Sequence, residues 1–212
     1  MIVRKGLAVF LLLVGGGGLF GAPSGYRALR LTLGPESHEY SLNSRVSTGV
    51  GDFHLGSSDE SWDSAWALHG QYLRSRRSFL IYGASLGLAH AEAREGTRKL
   101  VMESTLVRGY LGGVLLNRPS VTVEVLPFLG AGHSRLSFES GPLSTTMEGY
   151  VLEAGGDLNV LYRGMARLDI GFGVGLLSRQ NRFSEGLAGG STLDVDIDAG
   201  LVRVFCIAGF RL

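Results

Sequence analysis

From Thr146 to Leu177 the chain alternates residue by residue. Every second position from Tyr150 through Leu152, Ala154, Gly156, Leu158 and Val160 to Tyr162 is apolar or small, and the intervening set holds Glu153, Asp157 and Asn159. After the link Arg163-Gly164 the split repeats, with Ala166, Leu168, Ile170, Phe172, Val174 and Leu176 on one parity. The other parity carries Arg167, Asp169, Gly171, Gly173 and Gly175. Side chains of a strand point alternately to its two faces, so the pattern predicts an antiparallel hairpin with one apolar face and one small-or-charged face. Both strands exceed the five or six residues usual in a soluble sheet.

The same alternation recurs along the chain. Tyr26 to Leu33 sets Leu29, Leu31 and Leu33 against Ala28, Arg30 and Thr32, and Gly34-Pro35 ends that strand. Further strands are expected over Trp62–Leu73, Phe79–His90, Leu100–Leu116, Val121–Phe138 and from Thr192 to the end. Pro127 fits a fully paired strand poorly and predicts a bulge. In the last strand Asp194, Asp196 and Asp198 are expected inside, with Val195, Ile197 and Ala199 outside. The later series Val202, Val204, Cys206, Ala208, Phe210 and Leu212 then requires a slip near Gly200 to face outward. Residues 36–61 are polar and serine-rich and read as a long loop, with a hairpin around Asn43-Ser44 as the alternative. The other long loops are expected at 91–99, 139–145 and 181–191, where any partner would bind.

The reading is therefore all-β: a closed antiparallel up-and-down transmembrane β-barrel of eight strands, or ten if residues 36–55 form a membrane hairpin. Trp62 to Tyr72 and Tyr150 to Tyr162 share the outer parity of their strands. At roughly 3.3 Å per residue and a tilt near 40°, they span about 25–30 Å along the axis. Trp62, Trp66, Tyr72, Tyr82, Tyr150 and Tyr162 are the expected aromatic girdles. A soluble barrel with a ligand cavity is the competing architecture, in which the apolar parity would face inward.

Composition narrows the choice. The 33 glycines and 5 prolines among 212 residues, with 45% hydrophobic content, suit a chain made mostly of paired strand. A net charge of +1 without like-charge runs leaves no nucleic-acid footprint. Arg4 and Lys5, the apolar stretch Leu7–Phe20 and the small Gly21 and Ala22 form an export signal at residues 1–22, leaving 23–212 as the barrel domain.

The inward parity collects Arg30, Arg108, Glu124, Glu153, Asp157, Arg167, Asp169 and Arg179. In a narrow barrel these are expected to pair and plug the lumen, because an unpaired buried charge costs several kcal/mol. A serine hydrolase would need His133 as base for Ser134, with Glu139 or Glu148 nearby, yet adjacent strand residues face opposite sides. No catalytic residue, metal site or cofactor is expected. The acidic triplet reads as a solvated rim, His54 and His90 as loop or rim residues, and Cys206 as an inert thiol.

The export segment, the alternating strands and the C-terminal series Val202 to Phe210 resemble the small eight-stranded outer-membrane barrels of Gram-negative bacteria, the OmpA membrane domain, OmpX and opacity-protein group. That family usually ends on an aromatic residue, whereas here Phe210 is followed by Arg211 and Leu212. The resemblance implies an outer-membrane location reached by the general secretion route. It also implies outer-membrane lipid and lipopolysaccharide as surroundings, and the barrel-assembly machinery as a partner in biogenesis. Three roles remain open: envelope structure or surface interaction through the loops, narrow-pore conductance, and lipid modification.

Overall fold

The computed structural model describes residues 27–37, 39–48, 51–75, 80–163, 167–187 and 190–212. The expected export segment, Tyr26, the link residues 76–79 and Ala166 lie outside them. Ten strand segments lie among the described residues: β1 Arg27–Pro35, β2 Glu39–Thr48, β3 Gly51–Ser61, β4 Ser64–Ser75, β5 Leu80–Glu95, β6 Arg98–Asn117, β7 Val121–Ser140, β8 Leu143–Tyr162, β9 Leu168–Gly186 and β10 Thr192–Arg211. All pairings are antiparallel, and the ring β1-β4-β5-β6-β7-β8-β9-β10 closes through β1 and β10.

The ring has eight staves because β2 and β3 prolong existing ones. β10 pairs with β1 at Leu33↔Cys206, meets Glu36 at Arg203, and pairs with β2 at Ser41↔Asp198, all in one register. β1 and β2 are thus a single stave with respect to β10, and β3 runs into β4. The hairpin expected near Asn43-Ser44 exists, but its strands stay paired beyond those residues, out to Thr48↔Gly51. The strands also run through the segments expected as loops: β5 and β6 turn at Gly96-Thr97, and β7 and β8 at Gly141-Pro142. Gly141 takes φ 59°, and the following proline requires a negative φ, the order that fits a two-residue turn to the twist of its strands.

Following partners around the ring gives the shear. The path Leu31, Gly70, Leu86, Val107, Ala131, Leu152, Gln180, Asp198 returns at Ser41, ten residues further along the first stave. Such a stagger tilts the strands by about 40° from the axis. The 20-residue strands β6, β7, β8 and β10 then reach roughly 50 Å along it, about twice the height of an outer-membrane hydrocarbon belt.

Which face meets lipid is decided by exposure. Leu152, Leu158, Ile170 and Phe172 point outward and are 48%, 44%, 46% and 57% exposed, while Glu153, Asp157 and Asp169 are buried inside. Each stave carries an outward apolar stretch. Moving away from the termini, the first outward charges are Glu92, Glu103, Arg135, Glu148, Arg182 and Asp198 on β5 to β10. They form a collar where water begins.

Above the collar the polarity of the wall inverts. Tyr40, Trp62, Met102, Leu136, Met147, Phe183, Val195 and Ile197 pack inside as an apolar core. The outer face there carries Asp194 and Asp196, because water surrounds it as it would a soluble protein. This corrects the expected slip in β10. Its register with β9 runs unbroken through Gly200, so Asp194, Asp196 and Asp198 face out and Val195, Ile197 and Ala199 face in.

Trp62 is a second correction. Pro35↔Trp66 and Glu39↔Ser61 differ by one residue in register, so the stave gains a residue at the β3–β4 junction. That extra residue turns Trp62 inward, where it is 3% exposed and stacks on Tyr40 at 4.1 Å between ring centroids. The other girdle residues do face out: Trp66 and Tyr150 towards the collar, Tyr72, Tyr82 and Tyr162 towards the end that holds the termini. Pro127 keeps its register with β8, and the nearby irregularity falls on the partner strand β6, between Val114 and Leu116.

Candidate functional site

Inside the membrane belt the lumen is cross-braced by ions. Arg30, Arg108, Arg163, Arg179 and Arg203 are buried together with Glu36, Glu124, Glu153, Asp157 and Asp169, a set balanced in charge. Arg30 of β1 reaches across the barrel to Glu124 of β7, donating from Nη1 at 2.6 Å and from Nη2 at 3.0 Å. Arg108 of β6 grips Glu153 of β8 through Nε and through Nη2, the latter at 3.0 Å. Arg179 of β9 donates to both oxygens of Glu36, at 2.7 and 3.0 Å, and also to Glu153 at 3.3 Å. Arg203 of β10 holds Asp157 through Nε at 3.2 Å and Nη2 at 2.5 Å.

These forked pairs join staves that are not neighbours in the sheet, so each spans part of the lumen. Towards the termini Asp169 gathers Arg163, Arg30 and Arg211, at 3.6, 3.8 and 3.0 Å. Phe128 lies among them, with the Arg108 and Arg203 guanidiniums 4.4 and 5.5 Å from its ring centroid.

Glycines supply the space. A Cβ on Gly130 would stand 2.7 Å from Glu153 Cγ and 3.1 Å from Arg108 Cγ, and one on Gly175 would stand 2.5 Å from Asp157 Oδ1. Two glycines therefore make room for two ion pairs.

Of the expected lumen set, seven members are brought together: Arg30, Arg108, Glu124, Glu153, Asp157, Asp169 and Arg179. Arg167 is not among them. It precedes β9 at the rim, exposed, where the alternation has not yet begun. Arg203, Glu36 and Arg163 complete the network. Arg203 was legible, since it lies on the inward parity between Val202 and Val204. Glu36 continues the inward parity of Ala28, Arg30 and Thr32 but was masked by Pro35 and the serine-rich segment. Arg163 follows the last residue of β8, and no local pattern marks it.

The hydrolase geometry is absent at His133 and Ser134. His133 faces out, 3.7 Å from Glu148. Ser134 is fully buried, hydrogen-bonded to Ser104 and donating to Asn181 at 2.8 Å.

At the collar, a hydrogen bond from Arg94 holds the Glu92 carboxyl below the usual carboxylate range, with Arg94 and Lys99 adding their charge. Burial, with Asp196 adjacent, pushes Asp198 above it. Burial and the neighbouring Glu60 carboxylate raise the Tyr40 phenol. An outward groove of about 350 Å³ lies by the collar, lined by Arg45, Glu148, Tyr150, Arg182, Ser184, Asp194 and Asp196 among others. Above it β3 is paired on one edge only, to β2, and so ends the sheet.

Closed ring, shear, outward apolar belt and paired girdles give the chain the architecture of a small transmembrane β-barrel. No family model and no curated protein sequence matches the chain. Among solved structures it is similar to Ail, the attachment invasion locus protein of Yersinia pestis, at 14% identity, covering 90% of this chain and 100% of that one with a TM-score of 0.36. It is also similar to Neisserial surface protein A, at 10% identity over 87% of this chain and 97% of that one, TM-score 0.42. A third likeness is to the outer membrane protease OmpT of Escherichia coli, at 10% identity over 92% and 99% of the two chains, TM-score 0.41. At such identities the likeness passes on no role.

Proposed function

We propose that this protein is a non-conducting outer-membrane barrel that works at the cell surface through the sheet it raises above the membrane. The observation that carries the reading is the lumen itself. Balanced, forked Arg–carboxylate pairs run between non-adjacent staves at the height of the lipid belt. Exchanging or opening such pairs leaves buried charges uncompensated, at several kcal/mol each. What remains for contact with partners is the outer part of the molecule, where the unpaired edge of β3 and the charged collar lie. Lipopolysaccharide is the expected neighbour of that collar, with Arg135 and Arg182 facing its phosphates. The barrel-assembly machinery is the expected partner of β10 during insertion.

Planar-bilayer recording with the purified, refolded barrel tests the closed lumen, with unitary current steps counting against it. Removal of residues 39–61 tests the surface role: attachment of the producing cells to other surfaces would change while the barrel still migrates as folded.

One observation favours a second reading, a narrow water path. His69 Nδ1 and Nε2, Gln71 Oε1, Arg108 Nη1 and Asn159 Oδ1 are buried in the lumen without a protein hydrogen-bond partner. That is the lining a file of water molecules needs. Osmotic swelling of vesicles carrying the barrel separates the two, since a water path passes water and a closed brace does not.

A further inference from the structure

The end of the barrel that holds the termini is cationic. Arg27, Arg74, Arg118, Arg167 and Arg211 ring it, whereas the described carboxylates at that level, Glu124 and Asp169, are buried and held by arginines of the lumen and rim. The opposite end is mixed in sign and rich in carboxylates.

Within the ring one arrangement is unusual. Arg27 on β1 and Arg74 on β4 are directly opposed partners on the outward parity, which sets their Cβ atoms about 5 Å apart. Like charges opposed in this way repel. Neither has a carboxylate within ion-pair reach among the described residues. The next partner along the row is Tyr82 of β5, and Leu29 pairs with Tyr72 immediately above. Two guanidiniums and a phenol thus lie in one row at the lower margin of the apolar belt, the level of the headgroups in the leaflet on the side of the termini, which is the periplasmic side in a barrel of this architecture.

We infer that Arg27 and Arg74, with Tyr82 beside them, bind the phosphate of an anionic phospholipid in that leaflet. The guanidinium fork matches phosphate oxygens, the girdle tyrosines fix the depth, and the apolar residues Leu29 and Leu31 lie along the acyl chains. An anion between the two arginines converts their repulsion into a shared attraction. The belt above them covers the lipid tails, so a lipid fits better than a soluble anion. The inference is independent of any role of the surface sheet.

Native mass spectrometry of the refolded barrel in detergent, titrated with phosphatidylglycerol or phosphatidylcholine, tests it. The native protein should retain phosphatidylglycerol at least tenfold more tightly than phosphatidylcholine. Arg27→Gln/Arg74→Gln should lose about 30-fold in that affinity, about 1 kcal/mol for each arginine at an anionic surface. Arg98→Gln, on the exposed turn at the far end of the barrel beside Glu95, should leave it unchanged. If the double variant does not refold, as judged by heat-modifiable gel migration, Arg74→Gln alone should lose about fivefold. Equal retention of the two lipids overturns the inference, as does undiminished phosphatidylglycerol binding by the Arg27/Arg74 variant. Arginine-dependent capture on isolated peptidoglycan sacculi without any effect on lipid retention also overturns it, assigning the row to the cell wall.

Discussion

Replacing Glu153 by glutamine keeps the shape of the side chain and removes its charge. In the native lumen Glu153 accepts from Arg108 through both oxygens and from Arg179 at 3.3 and 3.4 Å. Arg179 keeps its fork to Glu36, so the loss falls on Arg108, a fully buried guanidinium left with a neutral amide oxygen, the face of Phe128 and the more distant Asp157 carboxylate in place of its ion pair. Breaking one partner of a buried pair typically costs about 3–5 kcal/mol. The double variant Arg108→Met/Glu153→Leu removes both charges and should cost far less than the two single changes summed, a coupling of about 2 kcal/mol or more. Glu148→Gln is the control: its side chain is 71% exposed beside His133, and its loss should cost at most about 0.5 kcal/mol. Reversible urea unfolding in lipid vesicles, followed by the shift in gel migration, measures all six proteins: the native chain, Glu153→Gln, Glu148→Gln, the singles Arg108→Met and Glu153→Leu, and their double variant. If Glu153→Gln costs under about 1 kcal/mol, no more than the exposed control, the lumen is wet enough to screen its charges and the closed-brace argument fails.

Three further outcomes follow from the same geometry. Gly175→Ala pushes a methyl into the Asp157–Arg203 pair and should cost about 1–3 kcal/mol in that unfolding assay, whereas Gly200→Ala, with open space around it, should cost little. Trp62→Ala empties a buried stacked site and should cost about 3–5 kcal/mol, seen also as lost near-ultraviolet dichroism; a cost as small as that of an exposed residue would return Trp62 to the lipid face. Asp198 has its folded-state affinity for a proton raised, so its ionisation costs the native state as pH rises from the unfolded aspartate pKa of about 3.9 through the higher folded value. Asp198→Asn should therefore raise the urea midpoint at pH 7.5 and leave it unchanged at pH 3, and an equal effect at both values would refute that cause.

Much of the barrel was legible because a strand in lipid has a strict rule at every second residue. The series Tyr150 to Tyr162 and Leu168 to Leu176 fixed which side is greasy, and Glu153, Asp157 and Asp169 lie inside as that parity requires. The rule reverses above the collar, where water replaces lipid and the barrel interior becomes an ordinary apolar core. Reading Asp194, Asp196 and Asp198 by the membrane rule placed them inside and demanded a slip at Gly200 that β10 does not make.

Local pattern by itself thus determined the strands, their lipid-facing side within the belt and most of the inward charges. Tertiary structure decided the rest: that residues 39–61 lengthen two staves, that an extra residue turns Trp62 inward, and which arginine holds which carboxylate across the lumen. Those outcomes depend on register and closure between strands far apart in the chain, and ring shear is a property of all the pairings together. Alternation along any one strand carries no record of it.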